Sequence, residues 1–94
     1  MDISKYKSTP GAVLIDLRSP QDFREGHIPG SINLALTQLS DVTDYAEELT
    51  TPLFVYCYSG NRSRQAAGVL SVMGYTDITD LGGFDKYKGE VETK

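Results

Sequence analysis

Residues 53–73 read LFVYCYSGNRSRQAAGVLSVM and combine a strand pattern, a cysteine-containing loop and a helix pattern. The apolar run 53–56 is typical of a strand buried on both faces. Residues 64–73 place apolar side chains at helical spacing, and Gly74 supplies a C-terminal stop. Between them lie residues 57–63, which we call the cysteine loop. This order predicts one strand–loop–helix unit of an α/β protein.

The rest of the chain alternates strand and helix patterns. Short apolar runs predict further strands at residues 12–16, 31–34 and 76–81. Helices are predicted at residues 20–25, with Ser19 as N-cap, and at residues 45–49 and 84–88. We therefore expect a single domain spanning residues 1–94, an α/β sandwich built around a mostly parallel sheet.

Composition excludes several classes of protein. The chain has one cysteine and one histidine, so we expect neither an internal disulfide nor a zinc-ligand cluster, and no metal. No apolar run approaches the length of a membrane span, and residues 1–5 lack the apolar stretch of a signal peptide. A reducing, cytoplasmic location without membrane attachment is therefore expected. The net charge of −4 argues against nucleic-acid binding.

The charges are unevenly distributed along this acidic chain. Residues 49–76 contain no Asp or Glu, and their only charged residues are Arg62 and Arg64. The segment that carries the cysteine is therefore locally positive. A local potential of this kind favours a small anion arriving at one pocket.

Cys57 ends the apolar run and opens the loop, a position that suits a nucleophile. In a strand-to-helix turn the backbone N–H groups point inward, and the helix N-terminus adds partial positive charge. Both effects favour the thiolate, which is the nucleophilic form of cysteine. The alternative is that Cys57 is a small apolar residue of the core. The loop that follows it favours catalysis.

Four motifs, in this order, make the chain resemble the rhodanese domains in their single-domain form. They are an apolar strand ending in Asp-x-Arg (13–18), a Gly-His-Ile-Pro-Gly-Ser-Ile-Asn turn (26–33), the cysteine loop (57–63) and Leu-Gly-Gly (81–83). Each motif alone is weak, but together they cover nearly the whole chain. Two positions depart from the family pattern: Asp22 replaces a frequent Glu, and Tyr87 stands where tryptophan is usual. Both keep the chemical character, so we interpret them as packing variation.

The resemblance implies a rhodanese-like three-layer sandwich, with helices on both faces of the sheet, and it implies sulfur transfer. A small anionic donor such as thiosulfate gives its outer sulfur to Cys57, forming a persulfide, and cyanide or a thiol accepts it. Thioredoxin or a sulfur-relay protein are the candidate protein partners. No cofactor is implied. The domain is expected to act as a monomer or a weak homodimer.

The loop residues have expected roles in this chemistry. Cys57 is the expected catalytic residue, and the expected substrate-binding residues are Tyr58, Ser59, Gly60, Asn61, Arg62 and Ser63. The planar guanidinium of Arg62 fits an oxyanion, although an ordinary exposed arginine or a loop brace is the alternative. The Ser63 hydroxyl is expected to cap the helix or to donate to the sulfur.

Four polar residues outside the loop are expected to support it structurally. They are Asp16, Arg18, Glu25 and His27. A strand-end Asp, a following Arg, and a Glu and His at a tight turn suggest a polar network that fixes the neighbouring loops. Persulfide transfer needs no general acid or base, so a catalytic role for His27 is not expected.

Two other functions use similar residues. Cysteine phosphatases and arsenate reductases also place a Cys at a strand end and an Arg at a helix start, but their loop is one residue longer. Four residues separate Cys57 from Arg62, which suits a single sulfur atom better than a tetrahedral phosphate. The second alternative is a persulfide carrier or regulatory module that a partner protein loads. The sequence does not separate this role from the enzyme, because both need the same loop.

Overall fold

The computed structural model describes residues 1–93, so Lys94, the last residue of the predicted domain, lies outside the described part. Within these residues a four-stranded parallel sheet has the order β2-β1-β3-β4. The strands are β1 (Val13–Asp16), β2 (Ile32–Asn33), β3 (Leu53–Cys57) and β4 (Ile78–Gly83). The α-helices are α1 (Ser4–Lys7), α2 (Pro20–Glu25) and α3 (Asn61–Met73), and 3₁₀ helices span Leu36–Asp44 and Phe84–Lys86. The predicted α/β class with a parallel sheet is confirmed.

The central strand β3 divides the core into two layers, because successive side chains of a strand point to opposite faces. Val55 and Cys57 belong to the cluster that also holds Ala66 and Leu70 of α3. Phe54 and Tyr56 belong to the second cluster. On that side the partly buried Tyr6 and Phe84 pack against them. All five residues of β3 are buried, so the backbone of the cysteine at its end is held in place by the core.

Strand order fixes where a site can form. The chain runs from β1 outward to β2, then returns to β3 and runs outward to β4 on the other side. The direction of winding therefore reverses between β1 and β3. In open parallel sheets the crevice at the carboxyl ends of two such strands is the usual binding place. Asp16 ends β1 and Cys57 ends β3, so both lie at this crevice.

The prediction of a helix at residues 45–49 is wrong. A 3₁₀ helix over Leu36–Asp44 precedes this stretch, which itself is irregular. Its carbonyls are engaged elsewhere: Ala46 O accepts from the Tyr75 hydroxyl, and Leu49 O accepts from Thr76 N. These long-range hydrogen bonds replace the i to i+4 hydrogen bonds that a helix would form. They are favoured because Ala46 and Tyr75 are both buried.

Other predicted boundaries shift by a few residues. The helix α3 starts at Asn61 rather than at residue 64, because Gly60 adopts a left-handed conformation (φ 100°) and serves as N-cap. The last strand continues through the double glycine to Gly83, with a register irregularity opposite Val55 and Tyr56. By contrast, α2 begins at Pro20 as predicted, with the Ser19 hydroxyl accepting from Asp22 N at 3.1 Å.

Gly68 lies in the middle of α3 and is exposed, and a Cβ added there would have no other atom within 4 Å. Its φ is not positive, so neither conformation nor space requires glycine. We expect Gly68→Ala to stabilise the domain by about 0.5–1 kcal/mol, because alanine loses less backbone entropy in a helix. Urea unfolding of both proteins measures this change. An unfolding free energy equal to or below that of the wild type would contradict it.

Candidate active site

Cys57 lies at the carboxyl end of β3, where the strand turns into α3. The strand is held on both sides, by β1 and by β4, and the Cα of Cys57 pairs with that of Gly83. Its residue surface is 3% exposed. The loop that follows is short, since the helix begins at Asn61. The sulfur is therefore fixed by regular structure before and after it.

Two backbone N–H groups converge on the sulfur. The N–H of Gly60 donates to Sγ at 2.9 Å, and the N–H of Ser63 donates at 3.4 Å. Gly60 has a φ of 100°, which glycine adopts without steric penalty. That conformation lets the chain turn back over Cys57. These two N–H groups point inward at the N-terminus of a helix, which is the backbone arrangement that the sequence predicts for this turn.

Ser63 does not have the N-cap role predicted for it, and donation from its hydroxyl to the sulfur stays a prediction. It occupies the first turn of α3, so it cannot be the N-cap. Its hydroxyl donates to Gly60 O at 3.1 Å and lies 3.7 Å from Sγ, where it accepts from the thiol. The side chain is fully buried. It therefore ties the loop to the first turn of the helix, while its backbone N–H serves the sulfur.

A pocket of about 310 Å³ opens over the sulfur. Its lining residues are Cys57, Tyr58, Ser59, Asn61 and Arg62. Arg62 is exposed, and no hydrogen bond or salt bridge within residues 1–93 engages its guanidinium. Tyr58 is also exposed, at 60%. The loop thus offers a small, polar pocket with one cation and one aromatic ring at its edge.

The two glycines at the end of β4 serve the loop in different ways. Gly82 has a φ of 87° and open space around it, so its backbone conformation requires glycine. Gly83 has ordinary dihedrals, but a Cβ there would lie 2.7 Å from Tyr58 O. The N–H of Asp85, two residues on, donates to the same Tyr58 carbonyl at 3.1 Å. Glycine at position 83 therefore allows the end of β4 to pack closely against the cysteine loop at the Tyr58 carbonyl.

A buried polar network links the ends of β1 and β3. The Asp16 carboxylate accepts from Arg18 Nη2 at 2.7 Å and from the Tyr56 hydroxyl at 2.7 Å. Arg18 also donates to Gly26 O at 2.6 Å, and its guanidinium lies 4.0 Å from the centre of the Phe84 ring. Because Tyr56 directly precedes Cys57, this network anchors the strand that carries the sulfur.

Protonation in this network follows from burial and charge. Burial opposes the charged form of Arg18, but hydrogen bonds to Asp16 and the charge of that carboxylate outweigh burial and raise the pKa of Arg18. Burial, reinforced by the Asp16 charge, raises the pKa of Tyr56. Tyr56 therefore remains a hydrogen-bond donor at any physiological pH. The tyrosine was predicted only as part of a buried strand, although a buried hydroxyl in an apolar run needs a partner.

His27 and Glu25 lie apart from the Asp16 network. His27 is buried and stacks on Phe23, with ring centres 3.7 Å apart, and its Nδ1 donates to Phe23 O at 2.7 Å. Its backbone pairs with Glu92 through two hydrogen bonds, and its Nε2 lies 3.5 Å from the Glu92 carboxylate. Glu25 is exposed and contacts Gln21. The structure therefore does not bring the side chains of Glu25 and His27 into the network with Asp16 and Arg18 that the sequence predicts.

Metal-ligand clusters and membrane-spanning helices are the remaining features that would point to other functions. In the part of the chain that the structure describes, no three His, Cys, Asp or Glu side chains are grouped to hold a metal ion. Among the same residues, no helix has the length and apolar character needed to cross a membrane.

The fold and the loop together define an α/β domain in which a cysteine lies at a strand-to-helix turn, with two backbone N–H groups donating to its sulfur. The family model described as the rhodanese-like domain matches residues 2–90. The chain belongs to this family, as its motifs predicted.

Named relatives and solved structures agree with this membership. The thiosulfate sulfurtransferase GlpE of Ectopseudomonas mendocina is 43% identical over 79 residues, which are 83% of this chain and 72% of the relative. GlpE of Pseudomonas putida is 39% identical over 85 residues, covering 89% and 76%. A rhodanese from E. coli solved with anions superimposes with a TM-score of 0.82 at 28% identity, covering 88% of this chain and 99% of that one. The rhodanese-like domain of the Alr3790 protein from Anabaena sp. gives 0.79 at 26% identity, covering 98% and 99%.

Proposed function

We propose that this domain is a sulfurtransferase that moves the outer sulfur of thiosulfate, or of a related donor, to cyanide or a thiol. The observation that carries the proposal is the pair of N–H donors on Cys57 Sγ, from Gly60 and Ser63. The curated relatives named thiosulfate sulfurtransferase support it. So does the short loop, with four residues between Cys57 and Arg62, since it surrounds one sulfur atom and leaves less room for a phosphate.

The reaction proceeds in two nucleophilic displacements at sulfur. The Cys57 thiolate attacks the outer sulfur of thiosulfate, so a new S–S bond forms, the S–S bond of the donor breaks, and sulfite leaves with its electron pair. The Gly60 and Ser63 N–H groups donate to Sγ, which carries the negative charge of the thiolate before the first displacement and again after the second. Cyanide or a thiolate then attacks the terminal sulfur of the persulfide and regenerates the Cys57 thiolate.

The pocket residues have distinct roles in this proposal. Arg62, an exposed residue of the pocket lining, holds the sulfonate end of the donor with its guanidinium. Tyr58, Ser59 and Asn61 line the entrance and contact donor and acceptor. The Asp16–Arg18 pair keeps the ends of β1 and β3 in place. The reaction requires Cys57 to remain a free thiol, so we assign the protein to a reducing compartment, the cytoplasm.

Intact-protein mass spectrometry after incubation with thiosulfate tests the proposal. We expect the mass to rise by one sulfur atom and to return on addition of cyanide. Since Cys57 is the only cysteine, protein pre-treated with iodoacetamide is a site-specific control and gains nothing. Folded, reduced protein that gains no sulfur would exclude thiosulfate as donor. Loading by a cysteine desulfurase alone would then favour a carrier.

Gly83→Ala should slow sulfur loading from thiosulfate by roughly tenfold or more, because a shifted Tyr58 carbonyl displaces the donors around Sγ. Gly82→Ala is the matched control, since its added Cβ meets no atom but its φ is strained. We expect that variant to lose about 1–2 kcal/mol of stability and to keep the loading rate of its folded fraction. Stopped-flow or quenched mass measurements give the rates. Equal rates for Gly83→Ala and the wild type would disprove the supporting role of Gly83.

His27→Ala should lower stability by about 1–3 kcal/mol, because a buried, stacked and hydrogen-bonded ring is lost. Turnover of the folded fraction should change little, since the structure places the ring against Phe23 and Glu92. Thermal unfolding and a thiocyanate assay below the melting temperature measure the two effects. A stable but inactive variant would show that His27 takes part in the chemistry.

A further inference from the structure

The outer face of α3 has an unusual surface for a helix. We define it by its exposed residues, which are Arg64, Gln65, Gly68, Val69, Ser71 and Val72. Val72 is 89% exposed and Val69 is 44% exposed. A solvated helix face ordinarily carries charged, strongly helix-forming side chains. This face carries instead one charge, two valines and a glycine.

The local fold does not explain this choice of residues. Gly68 costs helix stability relative to alanine, and nothing within 4 Å would obstruct a side chain there. Valine is a weaker helix former than Lys or Glu, and an almost fully exposed valine gains nothing from burial. Residues that oppose the local structure without an internal gain mark functional surfaces. A small residue beside exposed apolar side chains suits the close approach of another molecule.

The charges of the chain indicate which kind of molecule approaches the outer face of α3. Residues 49–76 contain no carboxylate, while the chain as a whole has 13 acidic residues and a net charge of −4. Homo-oligomers form mostly around twofold axes, where each surface meets its own copy. Such a contact would bring Arg64 against Arg64 without a carboxylate from this segment. An acidic partner surface complements Arg64, which is the single charge of the face.

The face is continuous with the pocket. α3 starts at Asn61, which lines the pocket beside Cys57, and Val72 lies about 17 Å further along the helix axis. A protein that covers the outer face therefore also reaches the pocket mouth. Small acceptors such as cyanide need only the pocket, so the face gives an advantage to a protein acceptor alone.

We propose that the outer face of α3 docks an acidic protein that presents a cysteine thiol to the Cys57 persulfide. This inference rests on the proposed sulfur transfer. The partner thiolate attacks the terminal persulfide sulfur, an S–S bond forms on the partner, and the bond to Cys57 breaks with Cys57 leaving as thiolate. The outer face supplies recognition and the pocket supplies the chemistry.

The test compares a protein acceptor with a small one. Cys57 is loaded with thiosulfate, and loss of the extra sulfur is followed by mass spectrometry after adding reduced thioredoxin or cyanide. The variants are Val72→Glu and Arg64→Glu, both at exposed positions outside the pocket lining. Ser8→Glu is the control of equal charge change to Val72→Glu, at an exposed site after α1 on the other layer.

We expect Val72→Glu and Arg64→Glu each to slow transfer to thioredoxin roughly tenfold or more, as loss of a central contact does. Transfer to cyanide should stay within about twofold of the wild type in Val72→Glu and Ser8→Glu, as should transfer to thioredoxin in Ser8→Glu. Failure of the wild type to form a persulfide would count against the sulfurtransferase itself.

Three outcomes overturn the docking proposal and leave the enzyme standing. The first is an unchanged rate to thioredoxin in both α3 variants. The second is a wild-type rate to thioredoxin no higher than to free cysteine. The third is a wild-type dimer in light scattering that Val72→Glu dissociates, which would assign the face to a second copy of the chain.

Discussion

Cys57→Ser should abolish sulfur transfer, with turnover reduced by at least about a thousandfold. A serine hydroxyl is not ionised near neutral pH, and an oxygen in place of Sγ cannot form a persulfide. The geometry around it should survive, because the N–H groups of Gly60 and Ser63 can donate to an oxygen as they do to Sγ. The loss is therefore chemical.

Two measurements separate chemistry from folding in this variant. Thiocyanate production from thiosulfate and cyanide gives the turnover. Urea unfolding should show a stability change below about 1 kcal/mol, since the buried volume and both hydrogen bonds remain. Turnover above a tenth of the wild-type value would remove Cys57 as the sulfur carrier. A large loss of stability would contradict the stability prediction and would show that the activity was lost through unfolding.

Asp16→Ala should cost about 3–5 kcal/mol of unfolding free energy, because it leaves the buried Arg18 without its partner carboxylate. Asp16 is fully buried and accepts from both Arg18 and Tyr56, so two donors lose their acceptor at once. This is a large fraction of the stability of a domain of this size. Denaturant unfolding monitored by tyrosine fluorescence measures it.

A second substitution provides the control for Asp16→Ala. Replacing Arg18 by Met in the same protein removes the unpaired charge, so the double variant should recover part of the lost stability. Recovery will be incomplete, since Arg18 also donates to Gly26 O and stacks on Phe84. A single-variant loss below about 1 kcal/mol would show that the pair contributes no more than a surface salt bridge.

The sequence predicts the α/β class, the strand that carries Cys57 and the loop after it, because these depend on local patterns. Apolar runs of four or five residues bounded by turns identify β1 and β3. The Ser19–Pro20 signal correctly starts α2. The boundary of α3 is missed by three residues, since a helix that begins on a left-handed glycine has no side-chain cap to mark it.

Features that depend on distant contacts are beyond local patterns. The stretch 45–49 has helix-forming residues, yet its backbone bonds to Tyr75 and Thr76. The tie between Tyr56 and Asp16 joins residues 40 positions apart. The need for glycine at position 83 arises from Tyr58 O, which lies on another element. Glu25 is the opposite error. Its closeness in sequence to Arg18 and His27 suggests that it joins the Asp16 network, but its side chain is exposed and does not.

The two hydrogen bonds to Sγ come from the main chain, and this has a consequence for altering the protein. The side chains of Tyr58, Ser59 and Asn61 line the pocket without supplying those donors. They can therefore be randomised together while the nucleophile keeps its surroundings. A library at these three positions should yield folded domains with different donor and acceptor preferences, and this makes the loop a starting point for engineered sulfur delivery.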